Sequence, residues 1–202
     1  MPKKPHTTRT IGPLHFEDLE PHRFEDLVRR MIYDFRQWRQ LEATGRTGSD
    51  EGFDVRGIEA VSALTVVSDA GGEEEGHDEP PDRIWLIQCK REKSIPPKNL
   101  SQYLDDIPMD ETEKLYGIIF AAACDFSKAA RDLFREKCRG RGSAEAYLWG
   151  KGELEDLLYQ PKNDDVLFTF FGISKRIRQR SVGVEVRRKL IVKRKAQRLL
   201  EV

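Results

Sequence analysis

Three cysteines are all the chain contains, Cys89, Cys124 and Cys138. They are odd in number and lack Cys-x-x-Cys or Cys/His ligand spacing, which argues against a disulfide framework and a zinc knuckle. The four histidines, His6, His15, His22 and His77, fall in leaders and loops without metal-ligand spacing, and none reads as catalytic. No GxxxxGK[ST] string occurs, so there is no P-loop; GRTGSDEG and GRGSAEAYLWGKGE only imitate glycine-rich loops. Long apolar runs are missing too. The longest, LYGIIFAAAC at 115–124, is half of the roughly 20 residues a membrane-spanning helix needs, and it reads as a buried strand. The basic start MPKKPHTTRTIG has no apolar stretch behind it, which argues against a secretory signal. The expected location is the cytoplasm, with no membrane partner.

What is present is charge. Of 202 residues, 35% are charged and 38% hydrophobic, enough apolar material for one core beneath a charged surface. The formal net charge of zero conceals an asymmetry: residues 174–202 hold eleven Lys or Arg against Glu185 and Glu201. That tail is +9 and the remainder −9. A polyanion partner and a merely solvated helix face both account for such a run.

After residue 50, helix and strand patterns alternate, the signature of an α/β fold with helices against a mixed sheet. The patterns predict helices at 21–35, 97–106, 126–138, 151–159, 164–178 and about 183–200, and strands near 53–58, 60–68, 83–90, 115–123 and 144–149. DAGGEEEGHDEPPD, residues 69–82, is rich in Gly, Pro and acids and predicts a mobile surface loop.

Phe-Glu-Asp-Leu occurs twice, at Phe16 and at Phe24. The second copy opens a helical face, because Phe24, Leu27, Val28, Met31, Ile32 and Phe35 recur at one-face spacing and Pro21 fits the first turn. Glu25 lies on the flank of that face, whereas Asp26 projects with Arg30 and Tyr33 to the other side. Glu17 and Asp18 of the first copy read as solvated lead-in. A carboxylate at a core edge serves either chemistry or a structural ion pair, and Glu25 alone does not decide between them.

Two further stretches supply partners for it. In GSDEGFDVRGIE, residues 48–59, a glycine-rich turn precedes an alternation in which Asp54 faces away from Phe53 and Val55. In RIWLIQCKREK, residues 83–93, Trp85, Ile87 and Cys89 share one strand face while Gln88 and Lys90 share the other. Cys89, opposite Lys90, reads as core packing. Mg²⁺ prefers oxygen ligands and is usually held by one or two carboxylates plus substrate phosphate. Asp54, the Gln88 amide oxygen and the Cys89 backbone carbonyl can supply such a half-shell, with Glu25 arriving from the helix. Phosphodiester hydrolysis needs charge neutralisation and an acidified water, and Lys90 can orient or deprotonate that water and steady the developing charge. Polar residues leaving the core at a strand end account for the same letters.

The order F-E-x-L on a first helix, then G-S-D-E-G-F-D-V, then I-Q-C-K-R, resembles the Mrr-type restriction endonuclease domain of the PD-(D/E)XK nuclease superfamily. GIIFAAACDFSKAARDLF and AYLWGKGELEDLL are similar to later segments of that family, and the resemblance covers about residues 14–160. It implies a three-layer restriction-endonuclease-like fold, a central mixed sheet flanked by helices, with a C-terminal helical extension. It further implies that Asp54 and Gln88 bind the metal, that Lys90 is the catalytic lysine and that Glu25 completes the site. Gln88 stands where many superfamily members have Glu or Asp, and Asp50 is a supporting acid in the glycine-rich turn.

The expected organisation is a leader over 1–13, the nuclease domain over 14–160 and a basic helical extension or connector over 161–202. The expected activity is Mg²⁺-dependent cleavage of double-stranded DNA in restriction or antiphage defence, with Mn²⁺ as a substitute cofactor. Arg91 and Lys93 near the site, and Arg176, Arg178 and Arg180 in the tail, are the candidate phosphate contacts. A homodimer, and a sensor or ATPase module joined through the last helix, are the expected assembly partners. Two alternatives stand beside this: a binding or assembly module that keeps the fold without the chemistry, and a nuclease acting on RNA or branched DNA.

Overall fold

Glu20 and Pro21 start the first helix. The Glu20 side chain accepts the Arg23 N–H at 3.2 Å, and Pro21 takes the first helical position, where its missing N–H costs nothing. The computed structural model describes residues 12–44, 52–61, 82–108 and 115–174. Within them a 3-10 turn (Phe16–Asp18) leads into α1 (Pro21–Ile32), β1 (Trp38–Ala43), β2 (Val55–Glu59), β3 (Arg83–Lys90) and α2 (Pro97–Asp106). β4 (Leu115–Ala122), α3 (Lys128–Gly140), β5 (Glu145–Trp149), α4 (Lys151–Leu158) and α5 (Asp164–Phe171) follow.

The strands form one mixed sheet in the order β1-β2-β3-β4-β5. β1, β2 and β3 are antiparallel neighbours, while β3, β4 and β5 run parallel, connected through α2 and α3. β3 is central, and a strand covered on both faces must be apolar on both, which RIWLIQCK is. Its alternation feeds two cores. Leu86 packs with Ile118 and Phe120 of β4 against Leu100 and Leu104 of α2 and Phe134 of α3. On the opposite face Trp85 meets Phe35, just past α1, edge to face at 6.2 Å. Helix, sheet and helix pair make three layers, the expected restriction-endonuclease-like arrangement.

The chain divides into two compact units, Met1–Glu155 and Asp156–Val202. The first holds the sheet and α1 to α3. In the second, the described residues are the end of α4, a 3-10 turn (Pro161–Asn163) and α5. Asn163 Nδ2 donates to the Leu157 carbonyl at 2.7 Å, and Ser174 Oγ lies 2.8 Å from Asp164 Oδ2.

Three expectations need correction. The first helix stops at Ile32 rather than 35, since the chain turns at Tyr33 to bring the Phe35 ring against Trp85, Tyr147 and Trp149. β1 was not expected at all, because WRQLEA is an edge strand whose residues are half-buried or exposed. The helix expected over 164–178 ends at Phe171, where Gly172 adopts φ 67° and donates to the Phe168 carbonyl at 2.9 Å, a left-handed cap. Residues 62–68 of the expected second strand, the loop to residue 81 and the helix near 183–200 lie outside the described residues.

Candidate active site

The antiparallel ladder between β2 and β3 ends at Val55, which pairs with Ile87. One residue earlier, Asp54 still donates its N–H to the Ile87 carbonyl at 2.9 Å, and its carbonyl accepts the Thr44 N–H at 2.9 Å. Asp54 is thus fixed from both sides, by β3 and by the end of β1. Its carboxylate Oδ2 accepts the Cys89 N–H at 2.6 Å, replacing the ladder bond that β2 no longer supplies. In an antiparallel ladder a residue's N–H and C=O face the same neighbouring strand. The Cys89 carbonyl therefore projects to the Asp54 side, past the last β2–β3 pair.

Gly52 lets the turn before Asp54 close against the end of α2. Its φ is 76°, and a Cβ there would lie 2.2 Å from the Asp106 carbonyl oxygen at the end of α2. Any other residue would carry both the left-handed backbone penalty and that collision.

Asp54, Cys89 and Lys90 share a cleft of about 450 Å³ with Glu25 of α1. Pro21, His22, Phe24, Thr44, Phe53, Arg91 and Glu92 complete its lining. The charges converge on Cys89: burial pushes its thiol well above the ordinary 9.0, the carboxylates of Asp54 and Glu25 push it further, and Lys90 opposes them. A thiol so held is no nucleophile at neutral pH, in line with its expected packing role.

Gln88 sits differently. It is 3% exposed, on the strand face shared by Leu86 and Lys90, and its Oε1 has no hydrogen-bond partner among the described residues. A buried amide oxygen left unsatisfied costs about 1–3 kcal/mol. A hard divalent cation is the kind of partner that satisfies it, so the oxygen donors of Asp54, Gln88 and the Cys89 carbonyl fit such an ion. Among the described residues no three His, Cys, Asp or Glu side chains are grouped to hold a metal, so any such site depends on amide and backbone oxygens.

Other candidates fall as follows. Arg91 is exposed at the cleft and donates to the Glu17 carbonyl at 2.6 Å, tying the first FEDL copy to the end of β3. Glu17 is thereby half-buried rather than solvated. Lys93 is exposed. Asp26 does not turn away: it binds Arg29 at 2.7 Å and lines a small pocket with Glu25, Thr44 and Asp54. His22 belongs to the first turn of α1 rather than a loop, and its Nδ1 lies 3.1 Å from Glu25 Oε2. The i,i+3 spacing of His22 and Glu25 was the available signal. Asp50, Arg176, Arg178 and Arg180 lie outside the described residues.

A model of the Mrr catalytic domain, described as a restriction endonuclease, matches residues 16–157. The chain belongs to this Mrr restriction endonuclease family. The match runs from the first FEDL copy through α4, so the Mrr domain takes in Glu25, the Asp54 turn and the Gln88 to Lys90 strand end. Searches of curated proteins and of solved structures each gave no significant match. The Mrr assignment makes this a restriction-type nuclease domain, and among the described residues no helix is long and apolar enough to cross a membrane.

Proposed function

We propose that the protein is a Mg²⁺-dependent endonuclease that hydrolyses phosphodiester bonds in double-stranded DNA, as a cytoplasmic effector of restriction or antiphage defence. The observation that carries this reading is the cleft shared by Glu25, Asp54 and Lys90, with the buried Gln88 Oε1 left unsatisfied two residues before Lys90 on β3. Asp54, Gln88 and the Cys89 carbonyl oxygen are the proposed ligands, Glu25 the acid that completes the site from α1, and Asp50 a supporting acid. Bound there, Mg²⁺ or Mn²⁺ supplies neutralisation of phosphate charge and acidification of water.

The protein's own groups do the rest. Lys90, at the cleft wall, orients the attacking water and donates hydrogen bonds to the phosphoryl oxygens as negative charge develops on them. Asp54, held at its main chain by two strands, does not have to reorganise as the charge shifts. Arg91 and Lys93 meet the flanking phosphates, and Arg176, Arg178 and Arg180 of the basic extension add sequence-independent attraction. The nuclease domain is assigned to 14–160 and the connector to 161–202, through which a sensor or ATPase module attaches. One site cuts one strand, so double-strand breaks require a homodimer or a second attack.

The test is cleavage of an end-labelled DNA duplex with Mg²⁺, Mn²⁺ or EDTA, in competition with RNA and branched DNA. The proposal expects metal-dependent cleavage with the duplex preferred. Binding of duplex with no cleavage in either metal would overturn it in favour of a silent binding module. Preferred cleavage of RNA would overturn the substrate assignment.

A further inference from the structure

We propose that Tyr103 is the positioning residue for Lys90: its ring face seats the ammonium, and its hydroxyl holds Glu92 away from that ammonium. This rests on the nuclease reading for the role of Lys90, though not for the contact itself. Lys90 Nζ stands 4.9 Å from the centroid of the Tyr103 ring, inside the range of a cation–π contact. The Tyr103 hydroxyl donates to Glu92 Oε1 at 2.5 Å.

Both contacts matter together. Lys90 and Glu92 are two residues apart at the end of β3 and line the same cleft, so an ion pair between them is the simplest outcome of the sequence. Among the described residues Lys90 makes no ion pair with any carboxylate. An ammonium paired to Glu92 would have its charge cancelled and its hydrogens occupied before substrate arrived. A ring face attracts the cation without taking its N–H donors in fixed directions, so they stay available to water and phosphate.

The platform itself is rigid. Leu100 and Leu104, three before and one after Tyr103 on α2, are fully buried, and the ring stacks on Phe120 with centroids 6.3 Å apart and planes 23° from parallel. The hydrogen bond to Glu92 is the first cause, before burial, that pushes the Tyr103 hydroxyl up to about 12. The phenol therefore stays a donor throughout the neutral range.

The test has two arms on the full chain. In the first, Lys90 side-chain resonances, assigned by their loss in Lys90→Arg, are recorded in lysine-labelled wild type, Tyr103→Phe and Tyr103→Leu. Ring-current displacement kept in Tyr103→Phe and lost in Tyr103→Leu is expected. An unchanged Lys90 signal in Tyr103→Leu overturns the contact, whether or not the protein cleaves DNA.

In the second arm, single-turnover cleavage at saturating DNA and Mg²⁺ is followed with phenylalanine and its mono-, di- and trifluorinated analogues at position 103. These remove the ring's quadrupole at nearly constant size. The rate is expected to fall stepwise by about fivefold to tenfold across the series, with melting temperature and DNA affinity unchanged. Adding Glu92→Gln to Tyr103→Phe is expected to restore the rate lost by freeing Glu92. A flat fluorination series overturns the positioning role. If Mg²⁺-supplied wild type cuts nothing while the first arm shows the contact, the nuclease reading fails and the seating of Lys90 stands.

Discussion

Gln88 is unfavourable for stability, and only the proposed function gives it a chemical role. A buried amide oxygen without a partner is a defect, and replacing it with an apolar group of similar size removes the defect. Gln88→Leu is expected to raise stability by about 1 kcal/mol, read as a shift of the urea midpoint, while lowering Mg²⁺-dependent cleavage at least about a hundredfold. Loss of stability with unchanged cleavage would make Gln88 a packing residue. At the start of β5, Glu145 shows the other case. Burial works to raise its carboxyl, but the Tyr147 hydroxyl at 2.6 Å, the Arg36 guanidinium and the Tyr116 hydroxyl outweigh burial and hold it below its ordinary 4.5. A carboxyl lowered on folding contributes stability that is fully present above the ordinary value and is lost as pH falls through the folded one. Between pH 7 and the acid side of 4.5 the wild type should therefore lose more stability than Glu145→Gln, as measured by denaturant midpoints at each pH.

At the scale of elements, legibility followed burial. β3 could be read from RIWLIQCK to the residue, because a strand covered on both faces is apolar without a break from Ile84 to Ile87 and charged again at Lys90. α2 was equally legible from its Pro97 start and the Leu100, Leu104 spacing. The edge strand β1 was not, since WRQLEA offers only half-buried Trp38 and Leu41 and reads as a polar linker. The contacts that Asp54 makes with Thr44 of the β1 end were hidden with it. Alternation and helix spacing were enough to single out Glu25, Asp54 and Lys90, which line one cleft; Gln88 is not among its lining residues. Seeing Tyr103 and Glu92 beside Lys90 needed the pairing of β3 with β4 and the seat of α2, which no local pattern encodes. Gly52 links element geometry to the site. Gly52→Ala is expected to destabilise by about 2 kcal/mol or more, by thermal or urea unfolding, and to slow cleavage by displacing Asp54. A substitution tolerated in both respects would mean that the turn does not set the position of Asp54.

Across the whole molecule, charge is divided: a nuclease unit with net negative charge precedes a tail of +9. Under the proposed function, DNA approaching this cleft would be repelled by Glu25, Asp54 and Glu92 until a cation and Lys90 offset them, so binding and cutting should both depend on the metal. The claim on which the account stands is that Asp54 and Lys90 act in metal-dependent hydrolysis. The most direct measurement follows nicking and linearisation of supercoiled plasmid by wild type, Asp54→Ala and Lys90→Ala in Mg²⁺ and in EDTA, with folding of each variant checked by melting. The account predicts cleavage by wild type in Mg²⁺ alone and rates at least about a hundredfold lower for both folded variants. Cleavage persisting in EDTA, or in either folded variant at the wild-type rate, would contradict it.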